Sequence, residues 1–213
     1  MLPKVLHSYY FRAIYFIYKP NFNYPVKKVY AFALLIFICY NASAQKYVPH
    51  IKEGTILNYN VKARATGQPA GISLTIISLA PPVKIKWAIP FVGTGFFEMS
   101  AKSIQSATKT LAEEPAPDEV TTMKDDETLL LLSKDTYNSM INNKSFQLNG
   151  YTFNVQTDTA AFQINKKDAD VFYAVSTKGN RRIWVLNDPD FPLICRSKRV
   201  TDLIDFELTA ITE

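Results

Sequence analysis

The sequence predicts an all-β protein with two short helices, its antiparallel curved sheet rolled into a partial barrel. Three observations carry this. Apolar side chains recur at every second position in run after run, the period of strands with one dry and one wet face. Turn-forming residues stand between the runs at about 8–12-residue spacing, as in sandwiches, rolls and barrels. A single cysteine, Cys195, follows residue 44, so no internal disulfide shapes the domain and its core must hold it.

The chain of 213 residues opens on a segment set apart by its charge. Residues 1–44 hold five basic groups (Lys4, Arg12, Lys19, Lys27, Lys28) and no acid. The formal charge of +5 therefore belongs to the leader, and residues 45–213 carry nineteen charges of each sign. At the level of net charge this removes the basic-surface case for nucleic acid or anionic membrane. Lys27-Lys28, the twelve apolar residues Val29–Tyr40 and Asn41-Ala42-Ser43-Ala44 form the three regions of a secretory signal, with cleavage after Ala44 leaving Gln45 first. Twelve helical residues reach about 18 Å, short of a hydrocarbon core of about 30 Å, so no stable membrane span is expected after processing. Ile38 before Cys39 is too large for a lipoprotein signal. Residues 1–25 read as an extension upstream of a start at Val26, where a valine codon can initiate. The expected organisation is thus 1–25 extension, 26–44 signal peptide and 45–213 one domain, a size that supports one core.

The first strand is Leu57–Ala63, where Leu57, Tyr59, Val61 and Ala63 alternate with Asn58, Asn60 and Lys62. Thr66-Gly67-Gln68-Pro69 turns the chain into Ile72–Ile76. Ala80-Pro81-Pro82 breaks that strand from Val83–Ile89, and Phe96-Phe97-Glu98-Met99 continues the sheet. Ser100–Leu111 offers Ser100 as an N-cap with Ile104 and Ala107 at helical spacing, and Ser133–Asn142 offers Ser133 as a cap with Tyr137, Met140 and Ile141 on one face. Both read as short helices laid across the sheet. Glu113–Glu119 between them reads as a charged surface loop containing Pro115 and Pro117. Asn149-Gly150 is a hairpin turn joining Phe146–Leu148 to Tyr151–Val155. Phe162–Ile164 alternates briefly. Lys178-Gly179-Asn180 joins Val171–Thr177 to Arg181–Leu186, and Arg199–Asp202 joins the last two strands, the final one being Ile204–Ala210.

Chemistry-bearing residues are few. After the leader only His50 remains, so a His-based zinc site fails on numbers and any nucleophile–His pair would have to use this residue. It reads as an exposed residue near the new terminus. Cys195, after Leu193-Ile194, reads as a small buried hydrophobe. Gly93-Thr94-Gly95 lacks the third glycine, the lysine and the helix of a phosphate loop and reads as a bend or bulge. Carboxylates are the remaining catalytic currency. Asp125-Asp126-Glu127 and Asn187-Asp188-Pro189-Asp190 would serve a hydrolase if opposed across a cleft, or calcium through hard oxygens, but each is also rich in turn formers. No catalytic residue, metal or cofactor is assigned. Trp87, Phe97 and Trp184 are the candidates to line a pocket for an apolar ligand, against the alternative that they fill the core.

Two stretches carry a resemblance. Lys52-Glu53-Gly54-Thr55-x-Leu57-x-Tyr59 at the start, and Ile183–Ile194 with Asp205-x-Glu207-Leu208-x-x-Ile211 at the end, resemble a group of exported bacterial spiral β-roll proteins of uncharacterised function, over most of residues 50–212. The resemblance implies a curved antiparallel sheet and supplies no catalytic residues. The function expected is non-catalytic binding of an apolar or polymeric ligand, or of an envelope protein, in the periplasm, outside the cell or at the outer membrane. The alternatives are a carboxylate-dependent hydrolase of envelope or extracellular polymers using Asp125, Asp126, Asp188 or Asp190, and an assembly subunit that pairs through a long uncovered sheet edge.

Overall fold

Each alternating run becomes a strand, in the computed structural model that describes residues 46–110, 116–157 and 160–212. The leader, with the cleavage residues Ala42, Ala44 and Gln45, lies outside the described residues, as do Glu113, Glu114 and Pro115 of the charged loop. The first half supplies β1 (Ile56–Ala63), β2 (Pro69–Ser78), β3 (Val83–Ile89) and β4 (Gly93–Met99), then the short β5 (Lys109–Thr110), β6 (Val120–Thr122) and β7 (Glu127–Thr128). The second half supplies β8 (Ser145–Leu148), β9 (Tyr151–Val155), β10 (Gln163–Ile164), β11 (Lys167–Asp168), β12 (Val171–Ser176), β13 (Arg182–Leu186), β14 (Ile194–Lys198) and β15 (Ile204–Thr212). Two helices, α1 (Ala101–Ser106) and α2 (Lys134–Asn143), complete the described elements.

Eleven strands form one sheet in the order β6-β4-β3-β2-β1-β15-β14-β13-β12-β9-β8. Every neighbouring pair is antiparallel except β4–β6. The sheet curls but does not close into a barrel, a partial roll. The first and last strands of the chain meet in the middle of the sheet, because β1 pairs with β15 along its whole length. The two free edges, β6 and β8, are three and four residues long, so among the described residues this sheet presents no long uncovered edge of the kind an assembly subunit would use.

Register explains the core. Leu57 faces Leu74, Leu74 faces Trp87, Ile76 faces Ile85 and Ile85 faces Phe97, so one side of four strands is continuous hydrocarbon. Leu57, Tyr59, Leu74, Ile76, Ile85, Trp87 and Met99 are essentially inaccessible. Gly95 faces Trp87, and a Cβ on it would come within 2.7 Å of the indole nitrogen. The expected bend is thus an extended strand position left bare so that the indole fits. Three bulges steepen the curl: β2 shifts register between Ile76 and Ser78, β15 opposite Asn58/Tyr59, and β14 opposite Trp184/Val185. In β14 the extra residue is Cys195, and the Tyr59 hydroxyl donates to the adjoining Ile194 carbonyl at 3.0 Å.

From Ile183 to Leu186 β13 is buried on both faces. The outer face there carries a ladder in which Trp184 pairs with Tyr173 on one side and Arg196 on the other, and Arg196 is ion-paired to Glu207. Phe162, beside the β10–β11 hairpin, lies against Arg196, and Asn165 of that hairpin exchanges two hydrogen bonds with the Ile211 backbone.

Helix α1 starts at its predicted cap, since Ser100 Oγ accepts from Ser103 N at 3.1 Å. It ends at Ser106 rather than Leu111: the Ala107 carbonyl accepts from the Ser133 and Thr136 hydroxyls instead of continuing the helix. Ser133 caps α2, which ends on Lys144 at φ 53°. Helix α2 packs against β8 and α1. The acidic turn Asp125-Asp126 leads into the two-residue β7, and beyond Thr128 the apolar run is no longer regular strand. Leu129 to Leu132 is buried but irregular, with Leu130 at φ 54°, and it is pinned by Leu132 N to Pro192 O and Ile194 N to Leu130 O.

Candidate functional site

Adjacent strands alternate in direction, so their connections gather at two rims. At the rim where β3 begins, a cleft of about 550 Å³ opens between segments far apart in sequence. Its walls come from Val48–Ile51 ahead of β1, Leu79 and Pro81 between β2 and β3, Ile104 of α1, Leu131-Leu132, Lys134 and Asn187–Pro192.

Each wall has a local cause. Tyr47 donates its amide to Asp168 O at 2.8 Å and accepts from Asp170 N at 2.9 Å, which straps the first described residues beside β11. Lys52–Thr55 then turns tightly, with Gly54 at φ 88°. Asn187–Pro192 is built around Asp188, whose Oδ1 accepts from Asp190 N at 2.9 Å and Phe191 N at 3.2 Å, the turn a short acidic side chain makes with the backbone two residues on. Asn187 links the cleft to the core: its Oδ1 accepts from Tyr137 Oη at 3.0 Å and its Nδ2 donates to Asp170 at 2.9 Å. Burial raises the Tyr137 pKa, and the Asp188 and Asp170 charges raise it further, so the phenol keeps the proton this chain needs.

The floor is hydrocarbon from Ile51, Val83, Leu131, Leu132 and Phe191, while His50, Lys134 and Asp190 are exposed at the mouth. Two features singled out in the sequence, His50 and Asn187-Asp188-Pro189-Asp190, therefore meet here. Chemically the cleft can hold an apolar body and present charge at its mouth. No Ser, Thr or Cys is among the described residues lining it, and its carboxylates, Asp188 and Asp190, share one turn instead of facing each other across the opening. The opposed pair a glycosidase uses is not formed.

The other candidates lie elsewhere. Asp125 is bonded to Ser100 and ion-paired with Lys102, and Asp126 pairs with Lys109 at 2.7 Å. Hydrogen bonds from Ser100 and Lys102 to Asp125, and from Lys109 to Asp126, lower both carboxyl pKa values. Cys195 is fully buried and burial pushes its thiol pKa up. Among the described residues no group of three or more His, Cys, Asp or Glu side chains is arranged to hold a metal.

Trp87, Phe97 and Trp184 do not come together. Trp87 and Phe97 sit on the inner face of the sheet, Trp184 on the outer face. All three are buried, at 0%, 3% and 4% exposure, and none lines the cleft. Sequence reasoning missed the residues that do line it, Val48, Ile51, Leu131, Leu132 and Phe191. Its one usable signal was Asn187–Pro192, where turn formers interrupt an apolar run. Comparison of the chain with protein-family models, with curated proteins and with solved structures finds no match to any of the three.

Proposed function

We propose that the protein is exported and acts in the cell envelope as a non-catalytic binding protein, taking an apolar ligand into the rim cleft rather than into the roll. The observation that carries this reading is the contrast between two spaces. The inner face of the roll is filled by its own side chains, with Tyr59, Trp87 and Met99 at or near zero exposure. The rim cleft holds about 550 Å³ over an apolar floor, with His50, Lys134 and Asp190 exposed at its mouth and Asn187 and Asp188 half-buried in its wall. That is the usual make-up and size range of a small-molecule site. The charge and apolar pattern of the leader supports export.

Native mass spectrometry of protein purified without denaturation tests the reading, together with uptake of dodecanoate as a probe. Val48 stands exposed on the wall and Ile104 is partly buried there against the core, so Val48→Arg and Ile104→Arg both fill the cleft, the first while sparing the core. The wild type should carry or take up an apolar ligand, and each variant should lose most of it. Protein that stays ligand-free, or binding that ignores both variants, would overturn the proposal.

A further inference from the structure

The rim opposite the cleft has a different chemistry, hidden by the zero net charge of residues 45–213. It collects the turns β1–β2, β3–β4, β8–β9, β12–β13 and β14–β15, as the registers require. The β1–β2 turn brings Lys62 and Arg64, the β12–β13 turn Lys178, Arg181 and Arg182, and the β14–β15 turn Lys198 and Arg199. Against these seven, the described residues of the same rim include four acids, Asp118, Glu119, Asp202 and Asp205. Asp205 is taken by Arg64 at 3.7 Å and by the Arg199 amide at 2.7 Å. Lys178, Arg182, Lys198 and Arg199 are exposed and make no ion pair among the described residues.

The turns of this rim touch one another. Asn149 donates to Val200 O at 3.2 Å, Arg64 N donates to Leu203 O at 2.9 Å, and the Arg181 guanidinium stacks 3.5 Å from the Tyr151 ring. Apolar side chains project from one end of the basic stretch and from within it. Phe91, at the β3–β4 tip with φ 65°, is 110% exposed, and Val92 beside it is 53% exposed. Leu203, in the β14–β15 turn, is 65% exposed. Four strand spacings separate the two hairpins, roughly 19 Å along the sheet. The tip keeps its backbone closed, since Val92 N donates to Ile89 O at 3.1 Å.

We propose that this rim docks on an anionic lipid surface, Phe91, Val92 and Leu203 entering the headgroup layer while the basic turns meet lipid phosphates. A bilayer matches both features, unpaired cations and convex apolar tips. A purely polar polyanion would use the cations and leave Phe91 idle. Strand β3 runs from Val83, which lines the cleft, to Ile89 next to the tip, roughly 20 Å. Docking would therefore leave the cleft at the far end, away from the lipid.

Co-flotation of the chain processed after Ala44 with phosphatidylcholine vesicles, with and without about 30% phosphatidylglycerol, tests this. The wild type should float with the anionic vesicles, and added salt should weaken the association. Arg182→Glu with Arg199→Glu should weaken it about tenfold or more, since each cation near such a surface is worth about fivefold. Phe91→Asp should also weaken it about tenfold, whereas Lys134→Glu, at the cleft rim, should leave it unchanged. Thermal unfolding of each variant confirms that it is folded. Binding insensitive to the rim variants would overturn the proposal. So would binding to a soluble polyanion that is as tight as to vesicles and indifferent to Phe91→Asp.

Discussion

Replacing Gly95 by alanine adds one methyl group at the tightest point of the sheet. That Cβ would lie 2.7 Å from Trp87 Nε1 and 2.9 Å from the Glu119 carbonyl oxygen, well inside the roughly 3.5–4.0 Å of ordinary carbon contacts. Neither neighbour can step aside. Trp87 is completely buried, and the Glu119 carbonyl is held by Phe96 N at 2.9 Å. Relief must come from moving strands, which places the cost at about 1–3 kcal/mol. Gly71 in β2 is the matched control: it is exposed, and a Cβ there meets nothing within 4 Å. Gly71→Ala should stay within about 0.5 kcal/mol of the wild type. Urea unfolding monitored by tryptophan fluorescence reads both, and in a domain of this size each kcal/mol moves Tm by about 2–4 °C. In a Trp87→Phe background the indole edge is gone and only the carbonyl clash remains. Gly95→Ala should then cost less, with a coupling of about 1 kcal/mol. Equal stabilities for the two alanine variants, or a coupling of zero, would refute the packing argument.

Cys195, buried at the β14 bulge with its thiol pKa raised, should react with an aromatic disulfide reagent only as fast as the protein unfolds; prompt reaction of native protein would show an open bulge. Tyr59→Phe removes the hydroxyl that donates to Ile194 O at 3.0 Å in a fully buried site, and should cost about 1–2 kcal/mol in the same unfolding assay; no loss would mean that the bulge does not depend on this bond. Asp125 and Asp126 titrate below the ordinary aspartate value of 3.8, mainly through hydrogen bonds from Ser100 and Lys109. A lowered folded pKa gives stability that is present above 3.8 and lost as pH falls through the folded values. Asp126→Asn should therefore reduce the difference in Tm between about pH 6 and about pH 3, a range that covers the onset of that titration, and an unchanged difference would contradict the assignment.

Much of the strand pattern was readable because one face of each strand is dry. Val83–Ile89 and Tyr151–Val155 agree with β3 and β9 to the residue. Asn149-Gly150 makes its turn with φ values of 51° and 77°, and Ser100 and Ser133 cap the two helices. Where side chains bury on both sides, period two disappears. Ile183–Leu186 gives no inside from alternation alone, and Leu129–Leu132 looks like a strand while filling a gap between β7 and α2. The cleft was mostly illegible, since its walls come from segments as distant as Val48 and Pro192 and no local spacing records their meeting. The charge was misleading for the same reason. A zero sum over residues 45–213 cannot show that three separate turns deliver their cations to one rim.

The central claim is that the inner face of the roll is solid and the rim cleft is the binding space. A methyl-resolved NMR titration with dodecanoate tests it most directly. Val48, Ile51, Leu79, Ile104, Leu131 and Leu132 should shift in a saturable way while Leu57, Leu74 and Ile85 stay in place. Shifts centred on Leu57, Leu74 and Ile85, with the rim silent, would contradict it.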